Sequence, residues 1–183
     1  MNREQALQIL YEYTRTDPLR KHAYSVEAAM RAYAKKYGEN EELWGAIGLI
    51  HDFDYEMYPD QHPGKGSEIL AEKGIPEDIR RIILGHADFS GVPRDTLVAR
   101  VLYAVDELCG FIIAVTLVRP TRSLGEVQVS SVLKKMKDKR FAAKVNREEI
   151  IKGAAELGIE LDQHIQFVIT ALVPVAAELG LNP

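Results

Sequence analysis

The sequence predicts an all-α fold, a single-domain helical bundle, on three observations. Apolar residues recur at helical spacing along nearly the whole chain. The apolar/polar alternation that marks strands is almost absent. Short clusters rich in Gly, Pro and Asp separate one periodic segment from the next. The length of 183 residues, with 46% hydrophobic and 27% charged residues, suits one globular unit that buries a sizeable core without disulfides. A metal, if one is present, is therefore expected to be functional rather than a structural staple.

The elements follow in order. A first helix is expected over 2–14. A second spans 18–37, with Asp17-Pro18 as its cap and first position and Gly38 as its stop. A third runs from Glu41 to about Asp52 behind Asn40, a residue type suited to an N-cap. The polar and aromatic stretch 53–63 carries two prolines and reads as a loop. Helices over 64–73 and 76–86 follow, divided by Gly74 and separated from the next by the loop 87–93. A long helix covers 94–118 and is ended by Arg119-Pro120. The basic region 120–146 is less regular, with one amphipathic helix near 129–137. Helices over 147–157 and 161–180 close the fold.

Charge and composition narrow the function. The formal charge of −4 and pI near 5.8 lack the broad basic field that polynucleotide binding needs, although a single nucleotide is not excluded. Cys109 is the sole cysteine, which removes an internal disulfide and any CxxC zinc or redox pair. The residues Met1-Asn2-Arg3-Glu4-Gln5 are polar and charged, unlike a signal peptide. The apolar run Leu108–Val118 is 11 residues, short of the roughly 20 that span a bilayer. The expectation is a cytoplasmic protein with no membrane partner.

The histidines are more informative. In the second helix the stripe Val26, Ala29, Met30, Tyr33 and Tyr37 extends back four residues to His22. In the third, Leu43, Ile47 and Ile50 lead to His51, with Asp52 beside it. In the fifth, Ile79, Ile82 and Ile83 lead to His86. In the long helix Asp106 lies among Leu102, Val105 and Cys109. Four helices thus place an ionisable residue on the face they bury. Burying these groups costs several kcal/mol unless each finds a partner. One such histidine alone reads as a hydrogen-bonded core residue; four helices making the same exception favour a shared divalent metal.

The pattern His22, then His51-Asp52, then Asp106 resembles the H…HD…D signature of the HD-domain superfamily, over about residues 18–118. Two further elements extend the resemblance: His62-Pro63-Gly64-Lys65-Gly66-Ser67-Glu68-Ile69-Leu70, similar to the family's HPxxGxxIL element, and His86 in Gly85-His86-Ala87. The resemblance implies an all-α metal-dependent phosphohydrolase. It implies one metal on His22, His51, Asp52 and Asp106 and, in a two-metal branch, a second on Asp52, His62 and His86. The metal (Mn, Fe, Ni, Zn or Mg) and its number, one or two, stay open. The chain departs from the cyclic-dinucleotide phosphodiesterase branch, because Gly85-His86-Ala87 and Ser90-Gly91-Val92-Pro93 stand where that branch has His-His-Glu and GYP. The segment 119–183 lies outside the motif, as a C-terminal helical extension that shapes the substrate side or a homo-oligomer contact.

The expected activity is hydrolysis of a small phosphorylated molecule, a nucleotide first, by metal-activated water, with His51 and Asp52 at the catalytic centre. Lys65, Arg94 and Arg119 are the candidate substrate-binding cations; the wider basic run Arg122, Lys134, Lys135, Lys137, Lys139 and Arg140 reads more simply as a solvated face. Tyr55, Tyr58 and Phe89 are candidates to line the pocket, and Asp54 or Asp88 to protonate the leaving group. Two alternatives come with the resemblance: a di-iron oxygenase sharing the ligand set, and a non-catalytic domain that binds a nucleotide or a protein. Gly64-Lys65-Gly66-Ser67 is no phosphate loop, since Pro59 stands where its first glycine belongs. Cys109 and His164 border apolar stripes and read as structural.

Overall fold

The computed structural model describes residues 1–182, and these are all-α as the periodicity predicts. Among the described residues nine α-helices form: α1 (Arg3–Tyr13), α2 (Asp17–Tyr37), α3 (Glu41–Ile50), α4 (Gly64–Glu72), α5 (Glu77–Leu84), α6 (Leu97–Leu117), α7 (Val129–Met136), α8 (Arg147–Glu156) and α9 (Leu161–Leu172). Among the described residues no strand forms. A single isolated bridge joins Ser123 to Asn182. No helix among them is long and apolar enough to cross a membrane.

Local signals explain most boundaries. Asn2 and Gln5 close a capping box on α1, and Asn40 accepts the Leu43 N–H at the start of α3. Gly38 ends α2 at φ 72°, where its N–H meets the Ala34 and Lys35 carbonyls. Other boundaries differ from the sequence reading. Thr16, not Asp17, is the N-cap of α2, and it makes no side-chain capping bond. Helix α3 stops at Ile50, so Asp52 lies in the following turn rather than in the helix. Helix α5 ends at Leu84, leaving His86 beyond it. Helix α6 begins at Leu97 because Thr96 caps it, accepting the Ala99 N–H. Helix α9 was expected to reach 180 but ends at Leu172: Pro174 has no N–H to continue the ladder, and a short 3₁₀ turn over Val173–Val175 takes its place.

Helix α2 packs most extensively on α3, and α6 on α8 and α2. Between them lie Val26, Met30, Tyr33, Ile47, Ile50, Leu102, Val105 and Phe111, all fully or almost fully buried. The approach of α8 to α6 is close enough to require a glycine. A Cβ on Gly153 would fall 2.6 Å from the Ala104 Cα. Behind this contact His164 is buried. Its Nε2–H donates to the Ala104 carbonyl at 2.8 Å, and its Nδ1 accepts from the Tyr33 hydroxyl at 2.6 Å. Burial holds its pKa below the ordinary imidazole value. The fifth histidine is thus a hydrogen-bonded core residue. Cys109 is likewise buried, with its thiol pKa pushed up by burial.

Candidate metal centre

Five segments deliver the polar groups to one place. His22 comes from the first turns of α2, His51-Asp52 from the turn that ends α3, and Asp106 from the middle of α6. His62 and His86 come from the loops before α4 and after α5. The ligand atoms fall into two groups, His22/His51/Asp52/Asp106 and Asp52/His62/His86, each with all atoms within 4.8 Å of one another.

In the first group His22 Nε2 lies 3.0 Å from Asp106 Oδ1 and 3.3 Å from His51 Nε2, and His51 Nε2 lies 3.3 Å from Asp106 Oδ1. In the second, His62 Nε2 and His86 Nε2 are 3.2 Å apart. Asp52 belongs to both groups through different oxygens. Its Oδ2 faces His51 at 3.5 Å and His22 at 3.8 Å, while its Oδ1 faces His86 at 3.1 Å and His62 at 3.3 Å.

Three of the four rings are oriented by the nitrogen that points away. His51 Nδ1–H donates to the Gly48 carbonyl at 2.8 Å, and His86 Nδ1–H to the Ile83 carbonyl at 2.5 Å. A carbonyl only accepts, so in the neutral ring the Nε2 lone pair is left aimed at the cluster. His62 Nδ1–H donates to Asp54 Oδ1 at 2.7 Å, and the other oxygen of Asp54 accepts the Gly66 N–H at 2.7 Å. A Cβ at Gly66 would sit 2.7 Å from the Asp54 carboxyl carbon, which explains why a glycine stands in that element. Both oxygens of the buried Asp54 are committed, so it holds His62 in place rather than facing a leaving group.

The electrostatics show how strongly the site asks for positive charge. Burial opposes charge on His51, but the adjacent carboxylates of Asp52 and Asp106 outweigh it and hold the imidazole well above its ordinary pKa. His86 is raised in the same way, chiefly by Asp52 against the effect of burial. Burial would raise Asp52 and Asp106, yet His51 and the other imidazoles hold both well below the carboxylate range. Each imidazole thus favours the charged form of its carboxylate neighbours, and each carboxylate that of the imidazoles. A divalent cation would balance the carboxylates with better geometry, and it suits imidazole nitrogen with carboxylate oxygen. The donor set fits one or two such ions.

A cavity of about 370 Å³ meets the cluster, lined by His22, Asp52, His62, His86 and Asp106 and also by Tyr55, Ala87, Asp88, Phe89, Glu107, Gly110, Val145 and Glu149. Tyr55 and Phe89 are there, as the sequence suggested; Tyr58 is not among the lining residues. The three candidate substrate cations lie elsewhere. Lys65 pairs with Glu68 at 2.8 Å on the exposed side of α4. The Arg94 guanidinium is held by both Glu156 oxygens, by Asp88 and by the Gly85 carbonyl, and stacks on Tyr103. Arg119 lies beyond the end of α6, facing Glu126 at 3.5 Å and lining a separate cleft with Lys134 and Lys135. Charge type alone does not reveal that a cation is already paired. Sequence reasoning also missed Glu107 and Glu149. Glu107 follows Asp106 on the same helix, and burial together with Asp106 raises its carboxyl to about 7. Glu149 is raised chiefly by burial. The position of Glu107 next to a ligand was the only signal available for either.

Among curated proteins and solved structures, none matches this chain. A family model described as HD domain matches residues 19–110, half of the chain, and includes His22, the His51-Asp52 pair, His62, His86 and Asp106. With the helical fold and the clustered His and Asp side chains, this match shows that the chain belongs to the HD-domain family.

Proposed function

We propose that this chain is a metal-dependent phosphohydrolase acting on a small phosphorylated molecule, with two metal positions rather than one. The supporting observation is the division of Asp52, whose Oδ2 faces His22 and His51 while its Oδ1 faces His62 and His86. His22, His51, Asp52 and Asp106 would hold one ion, and Asp52, His62 and His86 the other. Divalent ions held there supply Lewis acidity, which makes water nucleophilic near neutral pH and offsets the charge on a phosphoryl group.

The chain's own contributions are positional. The Gly48 and Ile83 carbonyls and the Asp54 carboxylate fix three imidazole rings before any ligand arrives, so little reorganisation is left for binding. The buried, apolar surroundings of His51 and His86 keep bulk water from the inner side of the cluster. The cavity on the outer side admits the substrate.

The test is metal content by plasma mass spectrometry on chelator-free protein, beside phosphoester hydrolysis. About two equivalents per chain, falling to about one in His86→Ala, and loss of hydrolysis in His51→Ala and Asp106→Ala with helicity intact, are the results expected. One equivalent unchanged in His86→Ala would overturn the two-metal reading. Full activity in His51→Ala, or turnover requiring iron and oxygen in place of water, would overturn the hydrolase reading.

A further inference from the structure

Beyond the ligand groups, the cavity has a composition unusual for a phosphate pocket. No lysine or arginine lines it. Its charged lining groups outside the ligand set are Asp88, Glu107 and Glu149. Asp88 is already answered by Lys152 at 2.7 Å and Arg94 at 2.9 Å. The two glutamates are not: neither forms an ion pair with a lysine or arginine among the described residues. Glu107 Oε2 accepts the Asn146 backbone N–H at 3.1 Å, and Glu149 Oε1 accepts from the Asn146 side-chain amide at 2.7 Å. The same asparagine therefore ties α8 to α6 and holds both carboxyl groups at the cavity. Two aromatic rings share the lining, Tyr55 at 47% and Phe89 at 78% exposure.

These features constrain a substrate whose phosphoryl group sits at the ligand cluster. Each additional phosphate on a di- or triphosphate needs cationic or N–H donors, which phosphate sites supply from arginine, lysine or a helix N-terminus. Here an additional phosphate would meet glutamates instead. A group carrying positive charge meets the reverse situation: two carboxyl groups that no lysine or arginine pairs with, and aromatic faces that attract cations. On this basis, and resting on the phosphohydrolase reading above, we infer that the cavity takes a compact phosphomonoester whose organic part ends in an ammonium group. Glu107 and Glu149 are its specificity-determining residues, and Tyr55 and Phe89 border the same end.

The experiment is direct binding by calorimetry to chelator-free protein, with two phosphonates that contain no P–O–C ester and one triphosphate analogue blocked at its β,γ link. Propylphosphonate and 3-aminopropylphosphonate differ only in the ammonium group, and adenosine 5′-(β,γ-methylene)triphosphate supplies a polyanion. The aminated probe should bind at least about tenfold more tightly than propylphosphonate, the scale of one charge-assisted contact. In Glu107→Gln/Glu149→Gln, which keeps an oxygen for the Asn146 donors, the preference for the aminated probe over propylphosphonate should be lost. Equal affinities in the unaltered protein, or tightest binding of the triphosphate, overturn the inference and leave the hydrolase reading standing. Binding of none of the three removes both readings together.

Discussion

The His62 ring and the Asp54 carboxylate are joined by a 2.7 Å hydrogen bond through Nδ1, with Asp54 itself 1% exposed. This bond sets the direction of His62 Nε2, so the second ligand group depends on a residue that offers nothing to it directly. Asp54→Asn keeps the shape but weakens the acceptor. Affinity for the second metal equivalent should fall by about 10–100-fold while the first is retained. Stepwise metal titration followed by calorimetry checks this, and equal loss of both equivalents would contradict it.

Gly66 and Gly153 separate the site from the scaffold. In Gly66→Ala the new Cβ falls on the Asp54 carboxyl, 2.7 Å from its carbon, so the expected loss is again the second metal equivalent. In Gly153→Ala the Cβ falls 2.6 Å from the Ala104 Cα, where backbone must move, and stability should drop by about 1–3 kcal/mol. Metal stoichiometry should hold in the second variant. Chemical denaturation and metal analysis on both proteins test the contrast.

The metal-free chain should become less stable as pH rises, and the metal-loaded chain should not. His51 and His86 have folded-state pKa values above the ordinary 6.5, so the folded state holds more protons there. Their stabilisation is full below about pH 6.5 and fades as pH climbs through the raised values. Glu107, at about 7 instead of 4.5, acts in the same direction between those two pH values. His164 is depressed and opposes them only below about 6.5. Asp52 and Asp106, held low, keep their contribution until strong acid. Metal binding requires deprotonated ligands and releases protons, so affinity rises with pH. The difference in Tm between loaded and chelated protein should therefore widen from pH 6 to 8; a constant difference would refute this.

Tyr33→Phe removes the hydroxyl that donates to His164 Nδ1 at 2.6 Å and leaves that nitrogen buried and unpaired. A cost of about 1–3 kcal/mol is expected, with metal content unchanged. Urea denaturation gives the first number and elemental analysis the second.

Four of the candidate ligands, His22, His51, His86 and Asp106, were legible because each interrupts an apolar stripe at helical spacing, a contradiction visible without coordinates; Asp52 was read from its place beside His51, and His62 from the family resemblance. Asp54 was not, because in Asp52-Phe53-Asp54 it is chemically identical to an exposed carboxylate until the chain folds over it. Arg94 was misleading for the converse reason: a basic residue beside the histidine loops resembles a phosphate clamp, and nothing local announces Glu156, 62 residues away. Helix existence followed from periodicity throughout. Helix ends failed where a side chain or a proline decided them, as at Thr96 and Pro174.

The family match ends at residue 110, yet Asp106 belongs to a helix that continues to Leu117. Phe111, Ile112 and Val115 of that continuation are buried. On the Ala104 side the same helix takes the hydrogen bond of His164 and the close approach of Gly153. A fragment trimmed to the matched segment would keep every ligand and lose the wall that holds one of them at its station. The family match and the buried core thus have different boundaries, and the packing that surrounds Asp106 runs past the end of the match.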